Sequence, residues 1–180
     1  MRRWWLLPVI LALATATPSL GGFRINVMGD KGFAHGVSRV VLVTASCHEA
    51  MNCQEMEQQL AGELPRLKLP FVVIVGDPVR RALFDLGAEA YSSTLREQLA
   101  AELEAEALLE VEVPFAENRT ITVRGSEARV KVRLVRPDGK ILMVGEGAGR
   151  AINTLSYPES VARATIVKVL EEARQVEAGK

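Results

Sequence analysis

The chain has 180 residues, 48% of them hydrophobic and 24% charged, which suits one domain with a real core and excludes a disordered chain. Lysine and arginine together number 22, as do aspartate and glutamate, so no basic excess points to nucleic acid.

Arg2 and Arg3 precede an apolar run from Trp4 to Leu13 that is too short to span a bilayer comfortably. Ala14-Thr15-Ala16 fits the small-residue cleavage pattern. Residues 1–16 read as a Sec-type signal peptide cut near Ala16, with an uncleaved anchor as the alternative. The arginine pair also invites a twin-arginine reading, but the very apolar run behind it favours Sec. No cysteine sits near the cleavage site to carry a lipid. The expectation is a periplasmic or secreted protein with no transmembrane domain after cleavage. Cleavage removes two arginines, leaving 20 bases against 22 acids. Asn118-Arg119-Thr120 matches a glycosylation acceptor, relevant only in a eukaryotic secretory route.

Residues 17–37 hold little hydrophobic mass and read as an irregular lead-in or an edge strand, with Phe23, Ile25 and Val27 alternating. Residues 38–178 read as a single α/β domain. Val40–Ala45 is a continuous β-branched run, expected as a strand covered on both faces. After the Ser46–Cys53 loop, Asn52 and Glu55 form a plausible cap pair. The spacing of Met56, Leu60 and Leu64 predicts a helix over 54–64. Phe71–Val75 predicts a second buried strand, ended by Gly76. Asp77-Pro78 predicts the cap and first turn of a short helix that stops at Gly87. Thr94 and Glu97 predict a capping box for a helix with the stripe Leu95, Leu99 and Leu103.

Period-two alternation then takes over. Leu109, Val111, Val113 and Phe115 point one way, and Glu110 and Glu112 the other. Ala128, Val130, Val132 and Leu134 alternate with Arg129, Lys131 and Arg133. Acidic outer positions beside basic ones suit cross-strand pairing. Pro137-Asp138-Gly139 predicts a tight turn, and residues 141–150 a glycine-rich returning strand. Ser156–Glu159 reads as a capping box opening a last helix with the face Ala162, Ile166, Val169, Ala173 and Val176. The predicted architecture is a two-layer α/β sandwich with a mixed sheet. Parallel strand–helix–strand units precede an antiparallel three-stranded meander and a C-terminal helix.

This order is carried by Val40–Ala45, Phe71–Val75, the helix running into Ala105–Val113, the Val130–Leu142 segment and the Pro158–Ala164 helix start. It resembles the bacterial envelope proteins related to CsgG, LpoB and the amino-terminal domain of TolB. The resemblance implies an α/β sandwich acting as an envelope accessory or assembly protein without catalytic residues. This chain lacks the lipid-anchored cysteine of that group's lipoproteins and has no room for the membrane-spanning segments of its channel formers. No family site residue carries over.

Cys47 and Cys53 are the only cysteines, and an exported pair in one loop favours a disulfide. Zinc held by Cys47, Cys53, His48 and His35 is an alternative, with a cysteine spacing longer than usual. A Cys47–His48 nucleophile pair lacks a third orienting group. Gly145–Arg150 resembles a phosphate loop, but it opens no helix, so a bulge or close backbone approach is the better reading. Asp77 would occupy the helix start where an anion must sit. Glu102, Glu104, Glu106, Glu110 and Glu112 read as a solvated face.

The sequence therefore predicts an exported, non-enzymatic envelope accessory or assembly protein working through protein contacts. No catalytic, metal or cofactor residues are assigned, and the partner is an envelope protein. A small thiol-dependent or hydrolytic enzyme using Cys47 and His48, or a small-ligand carrier, are the alternatives.

Overall fold

The structure, a computed structural model, describes residues 22–119, 125–151 and 157–179. The leader, Thr120 of the glycosylation triplet and Ser156 lie outside them. The strands are β1 (Phe23–Gly29), β2 (Arg39–Cys47), β3 (Val72–Ile74), β4 (Ala107–Arg119), β5 (Gly125–Val135) and β6 (Ile141–Ala151). They form one sheet in the order β1-β6-β5-β4-β2-β3. β2 runs parallel to β3 and β4, and the remaining pairs are antiparallel. The helices are α1 (Cys53–Glu63), α2 (Asp77–Asp85), α3 (Arg96–Glu102) and α4 (Pro158–Glu177). This is the mixed sheet, with parallel units, antiparallel meander and closing helix, that the hydrophobic periods predict.

One face of the sheet packs on α4 and α1. Alternation turns Ala128, Val130, Val132 and Leu134 of β5 to that side, where they meet Val161, Ala162, Ile166 and Val169 of α4. β2 is covered on both faces. Val40 and Leu42 join this larger core, while Val41 and Val43 pack with Val79, Leu83, Leu99 and Leu108 under α2 and α3. Burial of such a side chain contributes roughly 1.5–3 kcal/mol. Sequence reading places Val41 and Val73 in one core with Val132. The structure puts Val41 in the second cluster, because adjacent β2 residues face opposite ways, and Val73 is only half-buried. The strand expected over Phe71–Val75 is a three-residue edge strand with Val72 67% exposed. Its place at the sheet's end leaves its outer side without a neighbouring strand among the described residues.

The caps differ in detail. Asn52 caps α1 as expected, accepting from the Glu55 amide at 3.1 Å. Gly76, rather than Asp77, is the cap of α2; its φ of 80° is the left-handed conformation glycine adopts without strain. Asp77 instead bonds Arg80 one turn on. The Thr94–Glu97 box does not form, because Ser93–Leu95 is a 3-10 turn and Leu95 occupies the cap position of α3. Glu159 accepts the Asn52 amide at 2.8 Å, tying the start of α4 to that of α1.

The glycines of β6 serve packing. Gly145, Gly147 and Gly149 face α4, where an added Cβ would meet Val169 or Thr165. The glycine-rich stretch is thus the close backbone approach that its sequence context favours over a phosphate loop.

Candidate functional site

The helices α2 and α3 cover the second face of the sheet only over β2 and the start of β4. Among the described residues nothing packs across the same face of β1, β5 and β6. The alternation that sends apolar side chains of these strands to α4 sends Arg24, Asn26 and Met28 of β1 to the open side. Arg129, Lys131 and Arg133 of β5 and Glu146, Ala148 and Arg150 of β6 face the same way. This open half-sheet is the candidate site, and its residues are ordinary members of the strand pattern.

Register fixes their spacing. Ala148 pairs with Arg24 on one side and Arg129 on the other. The two arginines therefore stand two strand spacings apart, about 10 Å, over a small-residue floor. Arg150 lies two pairs further along β6, opposite Glu127. A depression of about 420 Å³ is lined here by Arg24, Asn26, Pro114, Lys131, Glu146 and Ala148. Pro114 falls where the β4–β5 register shifts. It has no amide hydrogen to give the ladder, and the extra residue brings Phe115 opposite Arg129. The Arg129 guanidinium sits 5.2 Å from the Phe115 ring centroid, and the His48 ring lies 6.2 Å from the same ring.

Charge on this face is unevenly paired. Lys131 reaches Glu146 at 3.8 Å, and Arg129 reaches Glu127 only at 4.0 Å. Arg133 is held by Glu110 at 3.1 Å and by Glu112. Arg24 and Arg150 make no ion pair among the described residues. The positive excess thus gathers at the end of the sheet carrying Arg24, Arg129 and Arg150.

At the other side of this half-sheet lies a group that the sequence misplaces. Glu110 is 1% exposed, not part of a solvated face. It accepts from Arg96 Nε at 2.9 Å and Nη2 at 2.8 Å, and from the Tyr91 hydroxyl. Burial, reinforced by the bond to Glu110, pushes the Tyr91 phenol well above its ordinary pKa. Burial works against the Arg96 charge, but Glu110 and Tyr91 more than offset it and its pKa is raised. The cluster pins α3 and the loop before it to β4, marking where cover ends and the open face begins. The Glu110–Arg133 and Glu112–Lys131 pairings are the cross-strand matches the alternation suggests. The partners Tyr91 and Arg96 come from another element and left no local signal.

The structure joins Cys47, at the end of β2, to Cys53, the first residue of α1, in a disulfide with Cα atoms 6.2 Å apart. While that bond stands neither sulfur is a thiol nucleophile or a zinc ligand. Among the described residues, no three metal-ligating side chains come together. His48 contacts Phe115, and His35 lies in the turn after β1, where its carbonyl accepts from Arg136 at 3.3 Å. No helix among the described residues is long and apolar enough to cross a membrane.

A scan against family models and a search of curated proteins found no match. Solved structures do match. A PelC dodecamer from Paraburkholderia phytofirmans is 18% identical, over 85% of this chain and 98% of that one, with a TM-score of 0.59. Lipoprotein GNA1162 from Neisseria meningitidis is 17% identical over 76% of this chain and 98% of that one, with a TM-score of 0.54. The C-terminal domain of LpoB from Escherichia coli, a protein the element order resembles, is 16% identical over 62% and 81% with a TM-score of 0.45. At these identities the PelC and GNA1162 likenesses show a shared fold.

Proposed function

We propose that the chain is an exported, non-enzymatic accessory protein of the cell envelope that works through protein contacts, made on the open half-sheet of β1, β5 and β6. The observation that carries this reading is a strand face, apolar on the side under α4, that turns Met28, Arg24, Arg129 and Arg150 outward with nothing described across it. The leader-like first 16 residues and the Cys47–Cys53 bond support export, since such bonds persist in oxidising compartments. One neighbour in fold is a lipoprotein and another a dodecamer, which supports an envelope role and association among copies.

Cell fractionation with cross-linking in the intact envelope tests the reading. The expected result is an extracytoplasmic chain, lacking residues 1–16, in discrete cross-linked species. A chain that stays in the cytoplasm, or an exported one that cross-links to nothing, overturns it.

A further inference from the structure

Outside the packed core the molecule carries a crevice beyond the ends of β2 and β3, an apolar edge at β3, and the arginine end of the open half-sheet. The crevice is lined by Thr44, Glu57, Arg80 and Tyr91; Thr44 bonds Glu57, Tyr91 bonds Glu110 and Arg80 bonds Asp77. The one buried side-chain atom of this crevice left without a partner among the described residues is Arg80 Nη1, too little to define a ligand. The edge at β3 offers nothing that selects an occupant. The arginine end does.

We infer that the open half-sheet binds an extended acidic segment of a partner protein, with carboxylates at alternate positions, and that Arg24, Arg129 and Arg150 receive it. This rests on the contact role proposed above and names the chemistry of the partner. Arg24 and Arg129 share the level of Ala148, and Arg150 stands two residues along β6 on the same face, so the two cationic levels are about 7 Å apart along the strands. An extended chain bearing an acid at every second residue has the same repeat, so its carboxylates fall into step with the cations. Across the strands, Arg24 and Arg129 flank Ala148 and leave a gap that a carboxylate side chain can enter from above.

The acids do not come from the segments of this chain beyond the described residues. Residues 1–21, 120–124, 152–156 and 180 contain no aspartate or glutamate. Nor does the face suit a dense polyanion. Glu112, Glu127 and Glu146 interrupt it and would repel phosphates spaced more closely than peptide carboxylates. Phe115 and Pro114 beside Arg129 give the aliphatic stems of the inward-facing acidic side chains an apolar contact. The excess is local, since bases and acids balance over the whole chain at 22 each.

The test uses the exported protein and a fluorescent peptide alternating Glu and Thr, read by anisotropy. A Lys-Thr peptide and inorganic polyphosphate serve as comparisons. The expected result is saturable binding of the Glu-Thr peptide that weakens with salt, and a loss of at least about tenfold in the R24E/R150E variant. Both side chains are exposed, so the variant's melting should match the parent and separate lost binding from lost fold. Equal binding by parent and variant, or stronger binding of polyphosphate than of the acidic peptide, overturns the inference. If envelope cross-links form through this face while the peptide binds independently of the arginines, the acidic partner falls and the contact role survives.

Discussion

Gly147 of β6 lies under Thr165 of α4 so closely that a Cβ added there would stand 2.6 Å from Thr165 Cγ2 and 2.9 Å from Ile25 Cδ1. Two layers therefore meet at backbone distance. G147A should destabilise by about 1–3 kcal/mol, the usual cost of overpacking. Urea unfolding measures it. An unchanged midpoint would mean that α4 sits further from β6.

Glu110 supports a second prediction. E110A removes a buried carboxylate and leaves Arg96 and Arg133 facing each other without it. Breaking a buried pair costs about 3–5 kcal/mol, and the partial exposure of both arginines puts the expected loss near the lower figure. Chemical denaturation of E110A against the parent checks this; a loss under about 1 kcal/mol, the level of a surface pair, would show that Glu110 is not the anchor of α3.

These two sites also show what the sequence made legible. Period two on β5 and β6 and the helical spacing on α4 mark the strand faces and a buried helix face in the sequence itself. Even the glycines of β6 signalled close approach, because no helix follows them. Glu110 was obscured because its partners Tyr91 and Arg96 lie on a preceding loop and helix, and only the folded chain brings them to β4. The open half-sheet was obscured for a related reason. Alternation says that Arg24 and Arg129 point away from the core, but only the strand order reveals Ala148 between them.

The Cys47–Cys53 bond closes a short loop between β2 and α1. Such a closure stabilises by about 2–3 kcal/mol through the entropy lost from the unfolded chain. Thiol labelling of the purified protein, unfolded without reductant, should find no reactive cysteine. Labelling at both positions would contradict the bond. Reduction should lower the melting temperature of the parent and leave a C47A/C53A variant unaffected.

A pH dependence follows from Glu106. Its carboxylate accepts the Arg39 amide at 2.7 Å and the Ser38 hydroxyl at 2.9 Å, and these bonds hold its pKa below the ordinary value. A carboxylate with a depressed folded pKa stabilises the fold above its unfolded pKa of about 4.3, and that contribution is lost as pH falls through the folded value. Melting curves of E106Q and the parent should differ most at neutral pH and converge in acid below about pH 4. A difference independent of pH would show that the contribution does not depend on charge.

The location of the contact face is tested most directly by photo-cross-linking from single positions in the native envelope. Probes at Met28 and Glu146 report on the open half-sheet, and probes at Lys168 and Glu172 on the outer side of α4. Protein adducts should form from Met28 and Glu146 and be absent from Lys168 and Glu172. Adducts from the α4 positions alone would contradict the assignment of the open half-sheet as the surface through which this chain acts.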